Sequence, residues 1–304
     1  MYDVIVVGGG PAGMTAALYA QRNGKQALVI EKAGFGGQIT HSPKVENIPG
    51  FSSVSGNEFA DQMLEQILAQ GAEIEFETVS QVESMEDKKL VSTEEGSTFE
   101  GKTVILATGV KHRMLGLPGE EELVGEGISF CAVCDGDFYG GQKVCVAGGG
   151  NSALQEAILL SEKCSEVVLL QDLPEFTGEA KLQEVLFSRP NVKGITNLKI
   201  NGLLKNGEAL CGVAVEDRTT GEKQEISCDG LFVAIGLIPE NQAFAQLADL
   251  NSYGYFDSDE QCLTKTPGIF VAGDSRSKQI RQVTTAAADG AVAALAACRY
   301  INGL

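Results

Sequence analysis

Histidine, proline and positive charge are all scarce in this chain, and each shortage narrows what it can do. Two His among 304 residues nearly exclude a multi-His metal site and turn any proton relay toward carboxylates or thiols. Eight Pro exclude a disordered Pro/Gly segment even though Gly is abundant. Lys and Arg number 23 against 41 Asp and Glu, for a net charge of −18. Nucleic acid and anionic membrane are therefore poor partners, because their phosphates would be repelled. No apolar run approaches the roughly 18 residues a membrane span needs. The start, MYDVIVVGGG, has no basic leader-like segment, so a cytoplasmic protein is expected.

What is present suits a soluble globular protein. Hydrophobic residues make up 43% and charged residues 21%. The length fits about two domains of roughly 150 residues each. Gly stands at 37 of 304, about 12% against a usual value of about 7%, and belongs in turns and close backbone approaches. Of the eight Cys, those at 145, 164, 211, 228, 262 and 298 are expected to act as small buried hydrophobes. Cys131 and Cys134 form a CxxC. Without a second CxxC a structural zinc site is unsupported, and a redox-active pair is the better reading.

Residues 3–7 (DVIVV) predict a strand, followed by GGGPAG at 8–13 and a helical pattern. Gly8 permits the tight turn, Gly10 lets backbone approach a pyrophosphate, and Gly13 lets the helix pack on the strand. Pro11 and Ala12 lie within this glycine turn, and the helix that follows it, MTAALYAQRNG, offers free amides to the phosphates. The next strand ends at Glu31, placed for a ribose hydroxyl. A second unit repeats the pattern, with Gly148, Gly150 and Ala153 followed by EVVLL. The chain is thus expected to be α/β, with two Rossmann-like nucleotide-binding domains.

With these motifs in order, the sequence resembles the low-molecular-weight, bacterial-type thioredoxin reductases over essentially its whole length. FGGQ at 35–38, NIPGF at 47–51, VILATG at 104–109, CAVCDG at 131–136, GIFVAGD at 268–274 and Arg281-Gln282 carry the resemblance. It implies the flavoprotein disulfide reductase fold, a bound FAD, thioredoxin as partner and a homodimer. The implied FAD contacts are Gly8, Gly10, Pro11, Ala12, Gly13, Glu31, Lys32, Gly37, Gln38, Asn47, Ala107, Thr108, Gly109, Gly273, Asp274, Arg281 and Gln282. By the same resemblance Cys134 faces the flavin, Cys131 attacks the partner's disulfide, and Asp135 handles the proton. An FAD domain is expected over 1–113 and 244–304, around a middle domain over 114–243, with hinges near 116–127 and Gly236–Pro239.

One segment departs from the family. NADPH-dependent members carry an HRR-like triplet after the second strand of the middle unit. Here QDLPEFTG stands at 171–178, with no Lys or Arg between Lys163 and Lys181 and with Glu166, Asp172, Glu175 and Glu179 nearby. Each missing charge-assisted bond to a 2′-phosphate is worth about 1.5–3 kcal/mol. In this the chain looks like the ferredoxin-dependent flavin thioredoxin reductases, which lack the NADPH anchors. Reduced ferredoxin is the favoured donor, with NADPH and NADH as alternatives. Candidate docking cations are Arg276, Lys278 and Arg281, and Lys111, His112 and Arg113. A flavin redox sensor or electron-transfer module that does not reduce thioredoxin is the rival reading.

Overall fold

A computed structural model describes residues 1–42 and 45–303. The chain forms two compact units, the first from Met1–Lys111 and Ile238–Leu304, the second from His112–Leu237.

The first unit begins with β1 (Tyr2–Val7), α1 (Pro11–Arg22) and β2 (Ala27–Ile30). Val4 through Val7 and all of β2 are buried, as strands covered on both faces must be. Helix α2 (Gly56–Ala69) leads to β3 (Glu73–Glu75), then β4 (Val79–Ser84), β5 (Lys89–Thr93) and β6 (Thr98–Leu106). The sheet order is β3-β2-β1-β6-β5-β4. Strand β6 changes partner along its length. Its first half pairs antiparallel with β5, while its second half, Val104–Leu106, lies parallel to β1. The chain leaves this unit within β7 (Lys111–His112).

The second unit contains β8 (Ile128–Ser129), the short helix α3 (Ala132–Asp135), β9 (Lys143–Ala147), α4 (Asn151–Ser161), β10 (Glu166–Leu170), α5 (Ala180–Phe187) and β11 (Val192–Ile195). A meander follows of β12 (Leu198–Asn206), β13 (Ala209–Asp217) and β14 (Lys223–Ser227), then β15 (Gly230–Val233). The parallel sheet runs β11-β10-β9-β15-β8, and β12-β13-β14 form a separate antiparallel sheet. Stretch 116–127, expected as a hinge, is instead folded into this unit. The buried Glu120 carboxylate accepts the amides of Leu115, Gly116 and Leu117, and Leu123 is buried in the core.

The chain returns through β16 (Leu237–Ile238), and the first unit closes with β17 (Ile269–Val271) and α6 (Val283–Ile301). Strand β17 pairs with Val104–Leu106 of β6. Helix α6 packs on α1 through small residues, with Ala12, Ala16 and Ala20 sharing one core cluster with Ala293 and Ala297. A Cβ on Gly290 would lie 2.1 Å from the Ala12 carbonyl oxygen, so the two helices meet at a distance only glycine permits. Among the described residues no helix is long and apolar enough to cross a membrane.

Candidate cofactor and redox sites

In the first unit, Gly8 has φ +109°, and a Cβ there would lie 2.3 Å from the carbonyl oxygen of Ala107. A Cβ on Gly13 would lie 1.9 Å from the Gly8 carbonyl oxygen. These two glycines seat the turn between the ends of β1 and β6. Gly10 differs, since a Cβ there would approach nothing nearer than the Gly36 carbonyl oxygen at 4.0 Å. Open space therefore borders the start of α1, which begins at Pro11 with no side-chain cap. The amides of Ala12 and Gly13 lie in the first helical turn, where no intrahelical acceptor exists. That is a ready anion site.

The other expected cofactor residues gather around this turn. Glu31 accepts the amides of Gly9 at 2.6 Å and Ala33 at 2.9 Å, which places its carboxylate at the glycine turn. Gly36 donates to the Gly9 carbonyl at 2.9 Å, and Gly37 lies 3.4 Å, measured from its would-be Cβ, from the Gly10 Cα. Gln38 is exposed in the short helical turn that ends at His41. Lys32 pairs with Glu240 at 2.5 Å. Asn47 donates to the Gln282 side chain at 3.1 Å, and Gln282 caps α6 in a reciprocal pairing with Thr285. Thr108, between Ala107 and Gly109, donates to Asn241 at 2.7 Å.

The turn carrying Gly273 and Asp274 completes the cluster. A Cβ on Gly273 would sit 2.7 Å from the Ala12 Cβ, so Asp274 lies beside the start of α1. Arg281 donates through Nε to the Asp274 carbonyl at 3.2 Å and stacks over Tyr255 at 4.3 Å. The Asp274 Oδ1 atom is buried without a hydrogen-bond partner among the described residues, and burial raises its pKa. An acceptor so placed calls for a donor from a bound molecule. These residues fit FAD: the amides of α1 would take a phosphate of it and Asp274 would accept from one of its hydroxyls.

Two organising residues carry no local sequence signal. Buried Asn241 donates to the carbonyls of Gly254 and Ser275, tying the ATG segment to the Asp274 turn. Asp289 of α6 accepts the Gly273 amide at 3.0 Å, Arg276 at 2.8 Å and Lys278 at 2.9 Å. This corrects the docking-patch expectation for the C-terminal cations. Arg276 is 5% exposed and Lys278 is held inside the same network. Lys111 differs, pairing with Glu240 at 2.9 Å while its side chain stays 55% exposed.

In the second unit Cys131 and Cys134 are disulfide-bonded, with Cα atoms 5.3 Å apart. Cys131 caps α3, and the Cys134 amide donates to its sulfur at 3.2 Å. Two carboxyls flank the pair. Ser129 donates to Asp135 Oδ2 at 2.6 Å, while the Cys131 amide donates to the Ser129 hydroxyl at 3.1 Å. Among the described residues Asp135 Oδ1 is buried without a hydrogen-bond partner, and burial pushes the pKa up. Glu156 of α4, absent from the expected site, accepts the Ala132 amide. Burial, opposed by that hydrogen bond and reinforced by the Asp135 charge, pushes its pKa up to about 7. Five of the other six cysteines are buried as expected. Cys211 is exposed, because β13 shifts register against β12 beside it.

The second glycine turn is held as the first is. A Cβ on Gly149 would lie 2.4 Å from the Gln171 side-chain nitrogen, and the Gly149 carbonyl accepts the amides of Thr177 and Gly178, each at 2.9 Å, while a Cβ on Gly150 would approach nothing nearer than the Thr177 hydroxyl at 3.8 Å. Asn151, first residue of α4, exchanges hydrogen bonds with Glu179 at 2.9 and 2.7 Å. Arg218, distant in sequence, approaches Asp172 at 3.6 Å and brings there a cation that the local sequence did not reveal.

Residues 2–290 match the pyridine nucleotide-disulphide oxidoreductase family. The chain belongs to that family, in its low-molecular-weight thioredoxin reductase group. It is similar to the thioredoxin reductase of Bacillus subtilis, at 37% identity over 100% of this chain and 96% of that protein. It is 40% identical to a 34.2 kDa protein in the rubredoxin operon of Clostridium pasteurianum, over 99% and 97% of the two chains. The crystal structure of thioredoxin reductase from Streptococcus pyogenes superposes with a TM-score of 0.94 at 37% identity, over 100% of this chain and 99% of that one. The α/β fold with Rossmann-like sheets is therefore that of the flavoprotein disulfide reductases, and the family's cofactor is FAD.

Proposed function

We propose that this flavoprotein reduces the disulfide of thioredoxin through Cys131 and Cys134, with reduced ferredoxin as the electron donor. FAD, when bound, supplies the two-electron centre that reduces the pair. The residues named above around Gly10, Glu31, Asp274 and Gln282 hold it. In the exchange itself, the Cys131 thiolate attacks one sulfur of the thioredoxin disulfide and releases the other as a thiolate. Cys134 then attacks Cys131, reforming the Cys131–Cys134 bond and releasing the second thioredoxin sulfur. Asp135 supplies the proton a departing thiolate takes up, a role its raised pKa suits. The protein works as a cytoplasmic homodimer in this reading.

The observation that carries the donor assignment is the charge around the second glycine turn. Glu179 pairs with Asn151, the first residue of α4, and no Lys or Arg lies in sequence between Lys163 and Lys181. An anionic pyrophosphate and 2′-phosphate would meet carboxylates there and no cation of this segment. Arg218 beside Asp172 favours the second reading, an altered NADPH or NADH pose, but its charge is already offset by that acid. Calorimetric titration of the holoenzyme with NADPH separates the two. No heat at micromolar nucleotide is expected, and micromolar binding abolished by Arg218→Ala would establish the second reading. For the thiol chemistry, Cys134→Ser is expected to trap thioredoxin on Cys131 as a mixed disulfide, and Cys131→Ser to trap none.

A further inference from the structure

We propose that Glu156 is a second proton-holding carboxyl of the Cys131–Cys134 pair, a positioning residue that sets how readily the pair is reduced by acting through the Ala132 amide. The inference rests on the redox role proposed for that pair. Glu156 reaches α3 from the middle of α4, across 24 residues of sequence. Glu156 is half-buried on α4, whose neighbouring Ala153 and Ala157 pack with Val144, Val146, Val167 and Leu169 of β9 and β10 and with Leu186 of α5. The charged neighbour is Asp135 of α3. Tyr139, which follows α3, packs in the same core, and its phenol is pushed up to about 12 by burial and by Asp135.

The hydrogen bonds explain why this acid matters to the thiols. The Cys134 amide donates to the Cys131 sulfur at 3.2 Å, as an amide of the first helical turn does to a cap side chain. The amides of Cys131 and Ala132 are held by other groups. The Cys131 amide is held by Ser129, which itself donates to Asp135, and the Ala132 amide is held directly by Glu156. An ionised Glu156 therefore places a like charge at the residue that follows Cys131. A protonated Glu156 does not.

Reduction of the disulfide by two electrons and one proton leaves one thiol and one thiolate. The new negative charge raises the affinity of Glu156 for a proton, since like charges disfavour each other's ionised forms. Glu156 then takes up a further proton as the S–S bond breaks, and returns it as the bond reforms. With a pKa near 7 in the oxidised protein, this extra uptake falls just above neutrality.

The test is a thiol–disulfide redox titration of the holoenzyme in dithiothreitol buffers from pH 6 to 9, with the Cys131 and Cys134 thiols counted by alkylation. Glu156→Gln keeps an acceptor for the Ala132 amide and removes the charge. The wild-type midpoint is expected to fall more steeply with pH between about 7 and 8 than that of the variant. At pH 9 the variant is expected to lie about tenfold further toward the reduced dithiol, one pKa unit of coupling being a factor of ten once both forms of the wild type are ionised. Identical slopes and midpoints would overturn the proposal. A pair that accepts no electrons in either protein would instead sink the underlying redox reading and this inference with it. Infrared difference spectra of wild type and Asp135→Asn provide a check that needs no Glu156 variant. A protonated-carboxyl band should grow on reduction in both, and its absence from Asp135→Asn would assign the proton to Asp135 and contradict the role of Glu156.

Discussion

The side-chain amide of Asn47 donates to the side-chain oxygen of Gln282 at 3.1 Å, joining positions 235 residues apart. Gln282 is also the cap of α6, so one side chain closes a loop and starts a helix. Gln282→Ala should lose both contacts and cost about 1 kcal/mol of stability, as lost helix caps do. FAD affinity, measured by titrating apoprotein, should weaken in parallel. An unchanged melting temperature would mean that the cap contributes nothing.

The glycines of the first turn should separate folding from cofactor binding. Gly13→Ala drives a methyl onto the Gly8 carbonyl, whereas Gly10→Ala points one into open space. The first change should destabilise the apoprotein by roughly 1–3 kcal/mol, the usual cost of overpacking. The second should leave apoprotein unfolding nearly unchanged while weakening FAD binding. Denaturant melts of both apoproteins, set beside flavin titrations, test this contrast.

Asp289 neutralises two cations and one amide inside the first unit. Asp289→Ala leaves the Arg276 guanidinium buried without its carboxylate. Breaking a buried pair in this way costs about 3–5 kcal/mol. Asp289→Asn, which keeps hydrogen bonds but not charge, should cost less. Equal losses from both would indicate packing, not charge, as the cause.

Stability should also report the environment of Glu156. Its folded pKa is raised from the ordinary carboxyl value to about 7. The folded protein therefore binds this proton more tightly than the unfolded chain. That contribution is complete below the unfolded value of about 4.3 and is lost as pH rises through about 7. The loss amounts to roughly 3 kcal/mol in order of magnitude. Glu156→Gln should flatten this part of the pH–stability profile, and urea unfolding at pH 5, 6, 7 and 8 would show it.

Much of the architecture was legible because its signals are local. A strand, GGGPAG and a helix read as a βαβ start within about 25 residues, since each glycine answers a steric demand of its neighbours. The CxxC is likewise a local pattern. Glu156, Asn241, Asp289 and Arg218 were not legible, because each acts only where the fold delivers it. Asn241 meets Thr108 across 133 residues, and Arg218 reaches Asp172 from the turn after β13. The same limit misjudged the cations near Asp274. Arg276 and Lys278 read as exposed charge in sequence, but α6 brings Asp289 against both. Cys211 escaped burial for a similarly non-local reason, a register shift between β12 and β13.

The central claim is the route of electrons to the Cys131–Cys134 pair. Oxidised holoenzyme would be mixed anaerobically with reduced ferredoxin, NADPH or NADH, with flavin absorbance followed first and thioredoxin thiols second. The account predicts rapid bleaching by ferredoxin alone, followed by thioredoxin reduction that Cys131→Ser abolishes. Rapid bleaching by micromolar NADPH, or thioredoxin reduction that survives Cys131→Ser, would contradict it.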